Sequence, residues 1–151
     1  MCIRDSFSLD KNKHHEIRTT VNHLTENTKS YQLIKSVLED SSKAAYQGKI
    51  FVNSDAQKTD GYQLSKAILL NKDSEFNAKP ELEIYADDVK CSHGSASGSL
   101  NEDSIFYLMS RGLSYNQARE LLINGFLLDV VEKITDSETK NLIKNMIGIK
   151  E

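Results

Sequence analysis

The chain has 151 residues, which is enough for one domain with a hydrophobic core. Its 19 basic and 22 acidic residues give a net charge of −3, which excludes the basic surface typical of nucleic-acid-binding proteins. No apolar run approaches the roughly 20 residues of a membrane span, and two cysteines exclude a disulfide scaffold and favour the cytosol or an equivalent interior.

The first six residues differ in character from the rest. Met1–Asp5 looks like a translated sequencing adapter, so residues 1–6 are predicted to be a non-native leader that contributes nothing to the fold. On this interpretation Cys2 has no chemical role and the chain is a C-terminal fragment of a longer protein. A genuine short N-terminus is the alternative.

Residues 7–98 are predicted to form β-structure. Short apolar or β-branched runs alternate with polar turn residues and return at intervals of roughly 14 to 18 residues, which is compatible with the stacked coils of a β-solenoid. The runs are Ile17–Val21, Tyr31–Leu38, Lys49–Val52, Ala67–Leu70 and Leu82–Tyr85.

The run from Lys79 to Gly94 contains a change of direction. Its apolar residues fall on even positions up to Ala86 and on odd positions from Val89, so one strand cannot bury them all. We therefore predict a corner at Asp87-Asp88, and prefer it to an acid/base pair of carboxylates.

Residues 99–151 are predicted to be helical because the apolar period changes to 3.6. Three sequences fit the capping box at a helix start, and Arg111-Gly112 fits the end of the first helix. The boxes begin at Ser99, Ser114 and Thr135. In the second helix one apolar stripe is expected, containing Ala118, Leu121, Leu122, Gly125, Leu128 and Val131.

Cys91 and His93 are the candidate metal ligands. Side chains two apart on a strand share a face, and a thiolate beside an imidazole suits zinc, copper or iron–sulfur species. Two ligands do not complete a site, and a half-buried structural cysteine is the alternative. His14-His15 and His23 are weaker candidates, because a histidine pair beside lysines is usually a solvated loop.

Several blocks in consistent order resemble the SufB/SufD family of iron–sulfur cluster assembly scaffolds, over roughly residues 14–135. Val89–His93 is similar to the SufD branch, whereas the SufB branch has a Val-Glu-His-Glu-Ala type of sequence. A SufB-like chain is the alternative. The matching blocks are Ser30–Lys35, Gly48–Val52, Lys58–Gln63, Leu69-Leu70, Lys79–Gly94 and Ile105–Gly112.

The resemblance implies a mainly β fold with α: a right-handed parallel β-helix over residues 7–98, followed by a C-terminal helical region over residues 99–151. It also implies a non-enzymatic scaffold in the bacterial cytosol or plastid stroma. The partners implied are a SufB-like protein in a heterodimer and a SufC-like ATPase, with a homodimer as a further arrangement. Nucleic acid and membranes are not expected partners.

Residue by residue, His93 matches the family's functional histidine near the SufB–SufD interface, and Cys91 matches the cysteine two positions earlier. The resemblance implies transient iron or an iron–sulfur cluster at that shared interface, with none stably bound. We expect the SufC-like ATPase to contact Leu100–Ile134, with Arg119 and Glu120 as candidate contacts.

Two other functional classes remain open at this point. The first is a hydrolase that uses Cys91 and His93 with Asp87 or Asp88, although neighbours on one strand rarely have nucleophile-to-base geometry. The second is a purely structural β-helix arm with no role in cluster chemistry.

Overall fold

A computed structural model of the chain describes residues 1–146. It has two compact units, one covering Met1–Ser99 and one beginning at Leu100. The first contains the strands and the second contains the helices.

The first unit consists of strands that alternate between two parallel sheets. One sheet has the order β1-β3-β5-β7 and the other has the order β2-β4-β6. The strands are β1 (Cys2–Leu9), β2 (His14–His23), β3 (Lys29–Leu38), β4 (Lys43–Val52), β5 (Asp60–Leu69), β6 (Glu75–Ile84) and β7 (Lys90–Gly98).

Each coil of the solenoid contains two strands, one in each sheet. Lys29 on β3 pairs with Asp60 on β5, and Asp60 pairs with Lys90 on β7, so the same position recurs after a full coil. The apolar runs of the sequence therefore mark half-coils. The predicted fold class, a mainly β parallel solenoid followed by helices, is confirmed.

The core of this unit lies between the two sheets. Leu38, Ile50 and Val52 have no exposed surface, and each such side chain stabilises the fold by about 1.5–3 kcal/mol through burial. Part of this core is one cluster of buried apolar residues, against which Cys91 packs. Its members are Ile50, Val52, Ala56 and Ala86.

The predicted corner at Asp87-Asp88 is confirmed, because both residues lie in a bend between β6 and β7. The backbone carbonyl of Asp88 accepts a hydrogen bond from the Lys58 amide at 2.6 Å, and the Asp88 amide donates to Gln57 Oε1 at 3.0 Å. Asp88 thus joins one turn to the corresponding turn of the previous coil.

Residues 2–6 do contribute to the fold, contrary to expectation. They form the first part of β1, and Cys2 to Ser6 pair in parallel with Tyr31 to Lys35. Any extended segment can satisfy the free backbone groups at the edge of β3, so strand pairing is not controlled by the side chains alone.

The second unit contains α1 (Glu102–Ser110), α2 (Tyr115–Glu132) and α3 (Ser137–Met146). The box at Ser114 is confirmed: its hydroxyl caps the Gln117 amide, and the Gln117 side chain returns to the Ser114 amide. Gly112, just after α1, has φ +99°, as expected at a helix end.

The other two boxes are displaced from their predicted starts. Asn101, not Ser99, caps α1 by accepting from the Ser104 amide at 2.7 Å. Asp136, not Thr135, accepts from the Thr139 amide at 2.7 Å at the start of α3. In each case another capping residue lay within two positions of the predicted cap.

The single apolar stripe expected on α2 is only partly right. Ala118 and Val131 are buried, but Leu121 is 50% exposed and Gly125 is also exposed. Periodicity predicts a face of the helix but not how far along the helix that face is covered.

Among the described residues, no helix is long and apolar enough to span a membrane.

Candidate functional site

Cys91 and His93 lie on β7 with their side chains on the same face. Cys91 pairs with Gly61 and His93 pairs with Gln63, and both partners on β5 are buried. The two candidate residues therefore lie on the inward face of the solenoid, with Cα atoms roughly 6.6 Å apart. The predicted juxtaposition is confirmed.

β7 is the last strand of its sheet, and the chain passes from it into α1. Consequently, in the described chain, no strand of the opposite sheet follows β7 to cover its inward face. His93 is exposed although its register neighbour Gln63 is buried. The end of the solenoid thus presents the imidazole to solvent.

Cys91 is half-buried and contacts the apolar cluster that contains Ile50 and Val52. Gly61 leaves the space for it, since a Cβ there would lie 3.3 Å from Cys91 Sγ. Burial raises the pKa of the thiol, and a hydrogen bond with the Gly61 backbone only partly offsets this. Cys91 is therefore a thiol at neutral pH and releases a proton when a metal binds it.

This environment does not suit the hydrolase alternative. A nucleophilic cysteine needs a lowered pKa, usually from a neighbouring cation or helix N-terminus. The protein raises the Cys91 pKa instead.

The structure does not bring a third ligand to these two residues. Within residues 1–146, no three His, Cys, Asp or Glu side chains are grouped so that they could hold a metal ion. The site that this chain contributes is therefore a pair of donors.

The remaining histidines lie in or at the ends of β2 and not in a loop. His14 is exposed, and His15 packs edge-on against Phe7 with ring centroids 4.6 Å apart. His23 is 3% exposed, with Nδ1 2.7 Å from Thr28 Oγ1 and Nε2 2.9 Å from Ser30 Oγ. Pairing of β2 with β4 makes this segment a strand, so the predicted solvated loop is wrong.

Arg119 and Glu120 lie near the start of α2 in the helical unit. Arg119 is half-buried, Glu120 is exposed, and the adjacent Ala118 is fully buried. A residue that contacts a partner has to be accessible, and Glu120 is the more accessible of the two candidates.

Two residues of the site, Gly61 and Gln63, were not identified individually from the sequence. Both fall in the block Lys58–Gln63, but nothing in a single sequence indicates which strand lies beside β7. To predict that pairing, one must know the number of residues in each coil, which depends on the lengths of the turns.

Comparison with known proteins agrees with this architecture. The sequence profile for "SUF system FeS cluster assembly, SufBD core domain" matches residues 3–126. The chain is 38% identical over 138 residues to iron-sulfur cluster assembly protein SufD of Escherichia coli, covering 91% of this chain and 33% of that protein.

Two further relatives come from photosynthetic organisms. Protein ABCI7, chloroplastic, of Arabidopsis thaliana is 41% identical over 119 residues, covering 78% of this chain and 25% of that protein. An iron-sulfur cluster assembly SufBD family protein of Synechocystis is 37% identical over 117 residues, covering 78% of this chain and 26% of its own length.

The chain thus spans a third or less of these relatives, but the profile covers most of the chain and includes both the solenoid and the start of the helical unit. It therefore belongs to the SufBD core family of the SUF system, whose members assemble iron–sulfur clusters.

Proposed function

We propose that this chain is the SufD-like component of a Suf complex and that it supplies Cys91 and His93 to a shared cluster-assembly site. The observation that supports this most is the position of the two donors together on the inward face of β7, where the His93 side chain is exposed. A partner solenoid placed against that strand would bring its own ligands to within reach of the imidazole.

A thiolate and a neutral imidazole are suitable ligands for iron or a nascent cluster. In this proposal the cluster is cargo, held by ligands from two chains. Because residues 1–146 of this chain contribute a pair of donors, the cluster is bound incompletely by either chain and can be passed on. Because Cys91 releases a proton when it binds the metal, the affinity for the metal should increase as the pH rises.

The partner we propose at β7 is a SufB-like protein, in a heterodimer, and the partner at the helical unit is a SufC-like ATPase. The role is that of a scaffold and not of an enzyme, in a bacterial cytosol or plastid interior. A homodimer is the alternative arrangement.

The test is anaerobic cluster assembly on the complex with SufB-like and SufC-like partners, followed by absorbance. His93→Ala should lower the initial rate by about tenfold or more, since a lost ligand costs at least as much as a lost outer-shell partner. The complex should still form, as measured by size-exclusion chromatography.

His14→Ala is the matched control, because it removes an exposed histidine from the other sheet of the same unit. It should leave both assembly and complex formation unchanged. If His93→Ala assembles clusters at the wild-type rate, the chain is a structural arm and the proposal is wrong.

A further inference from the structure

A row of long polar side chains runs along the inward face of the β1-β3-β5-β7 sheet and ends at His93. Gln32 on β3 pairs with Gln63 on β5, which pairs with His93 on β7. Gln32 and Gln63 are 0% and 1% exposed, respectively. Buried amides in a solenoid core need hydrogen-bond partners, so their contacts are informative.

The Gln63 side chain is held in one position by the opposite sheet. Its Nε2 donates to the backbone carbonyl of Gly48 at 3.2 Å. The approach depends on glycine, because a Cβ at Gly48 would lie 2.6 Å from both Cδ and Nε2 of Gln63. Turning the amide over would set two carbonyl oxygens against each other, so Oε1 must face away from Gly48.

That oxygen is buried and has no hydrogen-bond partner, and the same is true of Gln32 Nε2. Gln32 Oε1, in contrast, already accepts from Thr19 Oγ1 at 2.7 Å and from Tyr46 Oη at 3.2 Å. A carbonyl oxygen has two lone pairs, so Gln63 Oε1 can serve a donor on each side. Gln32, whose Nε2 also lacks a partner, is the register neighbour on one side.

On the other side the register neighbour is His93, about 4.8 Å away along the sheet and on the same face. Its imidazole carries an N–H donor and is exposed, so its side chain can rotate toward Gln63. We propose that Gln63 is a positioning residue for His93: its Oε1 accepts the imidazole N–H and thereby fixes the tautomer. The other ring nitrogen then faces outward with a free lone pair.

This inference rests on the proposed function at one point only, namely that the free lone pair of His93 binds iron or a cluster. Metal-binding histidines generally donate their second ring N–H to an oxygen that fixes the ring. Here a buried amide on the neighbouring coil provides the oxygen, and it is itself anchored through Gly48.

The test measures the ring tautomer directly. The whole 151-residue chain is labelled with ¹⁵N-histidine, and the ring nitrogen shifts are recorded by NMR at pH 8 without iron. His93→Gln assigns the His93 signals. We expect His93 to populate one tautomer, while the exposed His14 in the same spectrum shows the usual mixture. A mixture at His93 in the wild-type chain would overturn the proposal without any variant.

Two variants separate positioning from a general packing effect. Gln63→Leu should return His93 to the mixture, whereas Gln32→Leu removes a buried amide one coil away and should leave His93 unchanged. Unchanged His23 signals, from a ring held by Thr28 and Ser30, report that the fold is intact.

A single tautomer that survives Gln63→Leu in the folded chain would also overturn the proposal. These outcomes are independent of cluster assembly. If His93→Ala assembles clusters normally but Gln63 still sets the tautomer, the proposed function fails and the positioning role stands.

Discussion

At single positions, the interior of the coils combines large polar side chains with residues that leave room for them. Gly48 leaves space for Tyr46 Oη and the Gln63 amide, and Gly61 leaves space for Cys91. The inward face is therefore a packed arrangement in which glycine is required by neighbours on the opposite sheet or the next coil, and not by its own backbone angles.

Gly48→Ala should destabilise the protein by about 1–3 kcal/mol, because the new methyl group overpacks a site whose neighbours are buried. Gly98→Ala is the control, since a Cβ there meets no atom within 4 Å. Urea unfolding followed by circular dichroism measures both. Equal midpoints for the two variants would contradict the packing described for Gly48.

His23 makes stability depend on pH. Burial lowers its pKa from 6.5, so the folded state binds fewer protons than the unfolded state in the range just below that value. Its contribution to stability is complete above pH 6.5 and is lost as the pH falls toward the lowered pKa. In His23→Gln, the urea midpoint should vary less between pH 7 and pH 5 than in the wild type.

The exposed His14 provides the control for this experiment. His14→Gln should retain the wild-type pH dependence, because it makes the same substitution at an exposed position of the same strand. A His23→Gln profile that overlays the wild type would show that another group causes the loss of stability on acidification.

At the scale of elements, the sequence predicts whether a segment is a strand or a helix better than it predicts the residue at which that element begins. The helix after Gly98 was predicted correctly, but Asn101 and not Ser99 caps it. Both side chains can cap a helix, and Ser99 has the favourable spacing to Glu102. The choice is made by where the backbone leaves β7 and turns into the helix, which local spacing does not encode.

Asn101→Ala should therefore destabilise the helical unit by about 1 kcal/mol, the usual cost of a lost cap. Ser99→Ala should have no measurable effect. Hydrogen exchange of the α1 amides reads out this local stability, and protection should fall in the first variant only. Loss of protection in Ser99→Ala would restore the capping box predicted from the sequence.

At the scale of the whole molecule, β6 and β7 each have one edge that pairs with no further strand of the described chain. β7 is poor in large apolar side chains, and β6 carries Pro80, which is tolerated at a sheet edge. Polar and proline-containing edges resist indiscriminate strand pairing. An edge of this kind is better suited to pairing with one specific partner than to aggregation.

For the helical unit, the proposed ATPase contact gives a separate prediction. Glu120→Lys or Arg119→Glu should weaken capture of a SufC-like ATPase by roughly tenfold, or about 1.4 kcal/mol, because reversed charge disturbs a complementary surface. Quantitative pull-down measures this, with helical circular dichroism as the check on folding.

Asp73→Lys is the matched control, since it makes the same charge change as Glu120→Lys at an exposed turn of the solenoid unit. It should bind the ATPase normally. Normal binding by both α2 variants would place the ATPase contact on other residues.

The amino-acid sequence by itself determined the two structural regimes, the corner at Asp87-Asp88 and the shared face of Cys91 and His93. Each of these depends on neighbours within a few residues, through the strand and helix periods. Only the tertiary structure decided that Gly61 and Gln63 lie beside those two residues and that His23 is enclosed. Such contacts join residues a full coil or a turn apart, and their register depends on turn lengths and backbone hydrogen bonds between coils, which no local pattern specifies.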